Sequence, residues 1–239
     1  MKDSVSAKKK ITTIAFDADD TLWRNEEIFI QAQDHFINML TGYHDRAYIT
    51  SHLDKIQIRN ISAFGYGIKG FALSMIETAI ELTDGRILGH EIHQIIVLSK
   101  EMVTAPIHLL PSIKTTLEAL QNDYQLMAIT KGDLLDQESK FARSDIADLF
   151  DYIEIVSEKN KETYLNILHR YQIQKHEFLM LGNSLKSDIL PVLDIGAMAI
   201  HIPYHSTWAH EQVDQTTLEK YTNLIQFDEA KELLSWLQK

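Results

Sequence analysis

Ile14-Ala-Phe-Asp-Ala-Asp-Asp-Thr-Leu22 decides how this chain is read. Ile11 to Phe16 forms a short, β-rich and largely apolar run, the pattern of a strand buried on both faces of a parallel sheet. Asp17, Asp19, Asp20 and Thr21 then crowd together where that strand should end. Carboxylates packed this closely repel one another unless a cation or a proton sits among them. In open α/β sheets ligands bind at the carboxyl ends of strands. The stretch therefore predicts a divalent-metal site with a carboxylate to spare for chemistry. A solvated acidic turn is the plain alternative.

The rest of the chain supplies the sheet that such a strand needs. After Pro106 helical and strand patterns alternate: a helix over Ser112–Leu120, a strand over Gln125–Thr130 and a helix over Leu134–Arg143. A strand follows over Tyr152–Val156, a helix over Glu162–Tyr171 and a strand over Phe178–Leu181. Asp188–Ile195 reads as a helix that tolerates Pro191 in its first turn, Ala197–Ile202 as a strand and Glu229–Leu237 as a closing helix. This is the alternation of a doubly wound parallel sheet.

Between Glu26 and Thr104 no convincing strand occurs. Ile28, Phe29, Ala32, Phe36, Ile37 and Leu40 recur at helical spacing, as do Ile49, Leu53 and Ile56. Phe71–Leu82 and Ile92–Val103 give two further amphipathic stretches. Gly65-Tyr-Gly-Ile-Lys-Gly70 reads as a loop whose glycines permit unusual backbone angles. The expected organisation is an α/β core over 1–24 and 106–239 with a helical insert over 25–105.

Three later strand ends carry polar groups. Thr130-Lys131-Gly132-Asp133 follows the second strand and offers a hydroxyl, a glycine and helix amides to an anion, or else a simple helix cap. Ser157-Glu-Lys-Asn-Lys161 offers two lysines after the third. Gly182-Asn-Ser-Leu-Lys-Ser-Asp188 places a carboxamide and a carboxylate at the start of a helix after the fourth, where both could also serve as capping groups.

Taken in order, these four segments resemble the haloacid dehalogenase-like (HAD) hydrolase superfamily. The likeness covers residues 11–24 and about 110–205, with the insert at the position of that family's C1 cap. The resemblance implies an HAD-like Rossmannoid core and a covalent mechanism. Asp17 is then the nucleophile that forms an aspartyl-phosphate, and Asp19 the acid and base that protonates the leaving oxygen and activates water. Thr130, with the Lys131 backbone amide, would hold a transferring oxygen, and Lys159, better placed by spacing than Lys161, would neutralise charge. Mg²⁺ would take the Asp17 carboxylate, the Asp19 carbonyl and Asp188, with Asn183 as a ligand or the partner of one. Asn183 stands where an acidic residue is frequent and Lys131 where asparagine is frequent, so the side-chain roles of both stay open. Asp20 and Thr21 are expected to shape the loop. Dehalogenases of the family generally lack the second aspartate, since halide leaves without a proton, so Asp19 favours a phosphatase acting on a small phosphorylated metabolite. A phosphosugar mutase or phosphotransferase, or a phosphate-binding regulatory module without turnover, are the alternatives.

Lys69, in the glycine-rich stretch of the insert, is a candidate contact for the distal part of a substrate, with a solvated turn as its alternative. His201, His205 and His210 fit no zinc-binding spacing and are expected to pack in loops. Tyr204 and Trp208 are expected to cover the sheet edge. The formal net charge of −11 argues against a nucleic-acid surface. The absence of cysteine excludes disulfides and thiolate metal sites. No apolar stretch approaches the ~20 residues of a membrane span, and Met1–Lys10 lacks the apolar centre of a secretory signal. A cytoplasmic protein without membrane partners, its N-terminal lysines a disordered lead-in, is the expectation. Its oligomeric state is left open.

Overall fold

The structure, a computed structural model, describes residues 11–206, 208–222 and 224–238. The lysine-rich lead-in lies outside the described residues. Strand β1 (Thr13–Phe16) precedes four helices, α1 (Glu26–Leu40), α2 (Arg46–Phe64), α3 (Ile68–Leu82) and α4 (Gly89–Thr104). There follow α5 (Ile113–Leu120), β2 (Gln125–Lys131), α6 (Leu134–Arg143), β3 (Tyr152–Val156), α7 (Lys161–Arg170) and β4 (Phe178–Gly182). A π-helical turn (Leu185–Ile189) leads into α8 (Leu190–Asp194), then β5 (Met198–His201), α9 (Gln215–Leu218), β6 (Ile225–Gln226) and α10 (Glu232–Leu237).

The strands form one parallel sheet in the order β3-β2-β1-β4-β5-β6. Ile14 stands in register with Leu126 on one side and Leu179 on the other. Ile14, Phe16, Leu126, Ala128, Leu179 and Leu181 face one way and pack on Leu117 of α5 and Leu233 of α10. Ala15, Met127, Ile129 and Met180 face the other and pack on Tyr164 and Ile167 of α7 and Val192 of α8. Both faces are therefore covered, which is why the strands read as continuous apolar runs. Full burial of each large side chain contributes about 1.5–3 kcal/mol, so the register of β1 is strongly fixed. Strand order reverses at β1, with β2 on one side and β4 on the other, and that reversal opens a crevice at their carboxyl ends.

The chain divides into two compact units. One holds the residues up to Arg24, Ile107–Lys131 and the chain from Lys140 onward; the other holds Asn25–Pro106 and Gly132–Ser139. The second unit has its own core, in which Phe36, Leu53, Met75 and Ile95 are buried among the four helices α1–α4.

Several expected boundaries move. β1 starts at Thr13 rather than Ile11, and α10 starts at Glu232 rather than Glu229. Of the glycine-rich stretch only Gly65–Gly67 stays outside a helix: Lys69 and Gly70 lie in the first turns of α3. Helix formation there needs only Gly65 (φ 71°) and Gly67 (φ 106°) to take the positive φ that ends one helix and precedes the next. The expected helix over Asp188–Ile195 is a π turn followed by α8, because Pro191 has no amide to continue a ladder. β6 is a two-residue edge strand that periodicity does not reveal.

Candidate active site

β1 runs directly into the site. The Asp17 amide still donates to the Leu181 carbonyl at 2.8 Å, so the nucleophile candidate sits at the last sheet-bonded position between β1 and β4. The next residues form a tight turn: the amides of Thr21 and Leu22 donate to the Ala18 carbonyl, and the Asp20 amide donates to the Trp23 carbonyl. Asp20 takes φ 64° to make it, which an aspartate tolerates better than most residues.

Lys159, only 3% exposed, joins this turn to the far side of the crevice. Its Nζ donates to Asp17 Oδ1 and, at 2.7 Å, to Asp188 Oδ1. The other Asp188 oxygen accepts the Ser184 amide at 3.0 Å. Burial, then the neighbouring Asp188 carboxylate, raise the Asp17 pKa to about 7 against the pull of Lys159. Burial alone would lower the Lys159 pKa, but the two carboxylates outweigh it and keep the lysine charged. Two buried carboxylates sharing one ammonium leave excess negative charge, and their hard oxygens suit Mg²⁺. Lys161 is elsewhere: it is exposed on α7 and pairs with Asp194 at 2.8 Å.

Asp19 is held from two directions. Trp23 Nε1 donates to Oδ1 at 2.7 Å, and Lys140 Nζ donates to both oxygens at 3.0 and 3.1 Å. The Asp19 charge adds to the repulsion felt by Asp17, which places the two carboxylates in one electrostatic field. Neither partner was anticipated from sequence. Trp23 lies four residues from Asp19 and could have been suspected from the tightness of the turn, whereas Lys140 reaches the site only because β2 and α6 place it there.

Thr21 and Asn183 hold one another. Thr21 Oγ1 donates to Asn183 Oδ1 at 3.2 Å and accepts the Asn183 amide at 3.0 Å. Asn183 thus spends its side-chain oxygen on tying the first loop to the fourth. The Asn183 carbonyl accepts His201 Nε2 at 3.0 Å, giving that histidine a structural partner. The His205 ring packs at a tilt against Tyr204, and the His210 ring likewise against Trp208.

Thr130 is buried at the end of β2. Lys131 Nζ, a candidate substrate contact from sequence, donates to Glu211 and to Ser187 Oγ at 2.9 Å. Glu211 is the other residue that sequence patterns passed over, since it lies in a polar segment after β5 with no motif around it. In the second unit Lys69 Nζ donates to both Asp133 oxygens at 2.9 and 3.1 Å. Burial would raise the Asp133 pKa, but Lys69 and the Asp136 amide outweigh it and hold it below the usual range.

A family model described as haloacid dehalogenase-like hydrolase matches residues 11–196. Among solved structures, a haloacid dehalogenase-like family hydrolase from Xanthomonas campestris is 36% identical, with a TM-score of 0.84, over 95% of this chain and 92% of that one. A 2-haloacid dehalogenase from Pseudomonas syringae pv. tomato is 19% identical, with a TM-score of 0.62, over 95% and 98%. A predicted phosphoglycolate phosphatase from Haemophilus somnus is 16% identical, with a TM-score of 0.63, over 95% and 98%. No curated protein matches the chain significantly. The last two likenesses concern the fold alone, and their names point to different reactions.

Proposed function

The chain belongs to the haloacid dehalogenase-like hydrolase family, and from that premise we propose that it is a Mg²⁺-dependent phosphatase of a small phosphorylated metabolite. One observation carries the choice of reaction. Asp19, two residues past Asp17, has its carboxylate anchored by Lys140 and Trp23 within the field of the nucleophile. A halide leaves carbon without a proton, whereas an alkoxide leaving phosphorus benefits from one.

In the first half-reaction an Asp17 oxygen attacks phosphorus, the bond to the ester oxygen breaks, and that oxygen takes a proton from Asp19. Asp19 gains that proton from solvent as the anionic substrate enters and part of its pairing with Lys140 is released. In the second, the Asp19 carboxylate removes a proton from water, the water oxygen bonds phosphorus, and the bond to Asp17 breaks to release phosphate. Lys159 holds Asp17 in place and offsets charge that builds up beside it. Thr130 and the Lys131 amide stand at the end of β2 to bind a phosphoryl oxygen. Among the described residues no three His, Cys, Asp or Glu side chains form a metal cluster, so a cation would draw on Asp17, Asp188, the Asp19 carbonyl and water. Bound Mg²⁺ supplies relief of the repulsion between the Asp17 carboxylate and an anionic substrate. We place the activity in the cytoplasm, which the cysteine-free sequence allows.

The test is single-turnover phosphoryl transfer by Asp19→Asn. Loss of a positioned acid costs about 10²–10⁴ in rate. The loss should be large for an alkyl phosphate and small for a nitrophenyl phosphate, whose leaving group needs little protonation. Equal losses for both would refute the acid role, and release of halide from a haloacid without phosphatase turnover would refute the reaction.

A further inference from the structure

The turn that carries Asp188 is not held by its own backbone alone. Glu211 reaches it from a short helical turn, Ala209–Glu211, on the segment after β5. One Glu211 oxygen, Oε2, accepts from Ser184 Oγ at 2.5 Å and from Ser187 Oγ at 2.6 Å. The other, Oε1, accepts from Lys131 Nζ. The donor and acceptor roles close without conflict: Ser184 Oγ also accepts the Ser187 amide at 3.0 Å, and Ser187 Oγ also accepts from Lys131. Ser184 and Ser187 bracket the turn whose next residue is Asp188, and the Asp188 amide donates to the Ser184 carbonyl at 2.8 Å.

This is more than a surface ion pair. Both side chains are largely buried, at 16% exposure for Lys131 and 11% for Glu211. Burial would raise the Glu211 pKa, but Lys131 and the two serine hydroxyls outweigh it and bring it to about 2. Removing the carboxylate would take the acceptor from two serine hydroxyls and leave the largely buried Lys131 ammonium with Ser187 Oγ and the more distant Glu158, a larger loss than that of an exposed pair.

We propose that Glu211 is a positioning residue of the active site, which locks the Ser184–Asp188 turn so that Asp188 faces Asp17 and Lys159, and which withdraws the Lys131 ammonium from the substrate. The consequence for the cation rests on the phosphatase reading above; the locking of the turn does not.

The experiment compares the full chain with Glu211→Gln by residue-resolved amide hydrogen exchange, with Mg²⁺ titration calorimetry and thermal melting alongside. Glutamine keeps the size, but it replaces one of the two acceptor oxygens with a donor, so either Lys131 or the pair of serine hydroxyls loses its acceptor. The Ser187 and Asp188 amides should exchange about tenfold faster, while those of β1 and β4 and the melting temperature stay near wild type. Mg²⁺ affinity should fall by about tenfold, as expected for loss of one charged hydrogen-bond network around a ligand. Unchanged exchange at Ser187 and Asp188 overturns the proposal. So does uniform acceleration through β1 and β4 with a lowered melting temperature, which would make Glu211 a general stabiliser. Wild type that gives no Mg²⁺ binding would refute the metal reading while the exchange result still decides Glu211. If Glu211→Gln does not fold, Ser187→Ala removes one of its hydroxyl partners and the second acceptor of Lys131. The same acceleration at Asp188 is then expected, and its absence overturns the proposal.

Discussion

At the scale of single residues, the site is a problem in charge. Asp17 and Asp188 are buried within reach of one ammonium, and burial with mutual repulsion makes ionisation of Asp17 costly. Such a carboxylate is out of place in a purely structural role, where an apolar or amide side chain would pack more cheaply. Asp17→Asn should therefore leave the melting temperature within a few degrees of wild type, because Lys159 keeps Asp188 as its partner. Phosphate release should fall by at least about a thousandfold, the order expected when a nucleophile is removed. Near wild-type turnover in a purified preparation would end the covalent mechanism. Lys159 and Lys161 show how far linear spacing reaches. Spacing favoured the first, but only burial between two carboxylates separates it from a lysine that is solvated two residues later.

At the scale of elements, the carboxyl end of β4 is the tightest part of the site. A methyl group added at Gly182 would lie 2.3 to 2.5 Å from the Asp188 carboxylate and its Cβ. The glycine is thus needed for close approach, and the strand can end against the turn only because no side chain intervenes. Gly182→Ala should force Asp188 aside and destabilise the fold by about 1–3 kcal/mol, the usual range for overpacking. Mg²⁺ affinity should fall more steeply than stability, since the displaced group is a proposed ligand. Calorimetric Mg²⁺ binding equal to wild type would show that Asp188 holds no cation. The same region was misread from sequence as one regular helix. Its polar residues fit a helix start, but Ser184 and Ser187 are each bound by Glu211 and Asp188 by Lys159, all groups from other elements that no local pattern announces.

At the scale of the whole molecule, the parallel sheet places the first and fourth loops side by side. With β1 between β2 and β4, Asp17 and Asp188 meet at Lys159 although 170 residues lie between them in the chain. The helical unit has a separate hydrophobic core, so its sequence can vary without disturbing that meeting. Chelation should abolish turnover and added Mg²⁺ restore it, checked by phosphate release across a panel of phosphorylated metabolites. Turnover that survives exhaustive chelation would contradict the metal requirement. A single dominant compound in the panel would mark a dedicated enzyme. No helix among the described residues is long and apolar enough to cross a membrane.

The sequence by itself determined the class of fold and the polar strand ends that are proposed to carry the chemistry. Apolar strands buried on both faces leave a local signature, and the residues at their ends, Asp17, Asp19, Thr130, Lys159 and Asp188, follow each strand in a fixed order. What only the tertiary structure decided was who partners whom. Lys140 with Asp19, Thr21 with Asn183, and Glu211 with Lys131, Ser184 and Ser187 join positions far apart in the chain. Hydrophobic periodicity is written into neighbouring residues. A hydrogen bond between distant loops is set by the sheet order and side-chain reach that bring them together, and neither leaves a trace in local pattern.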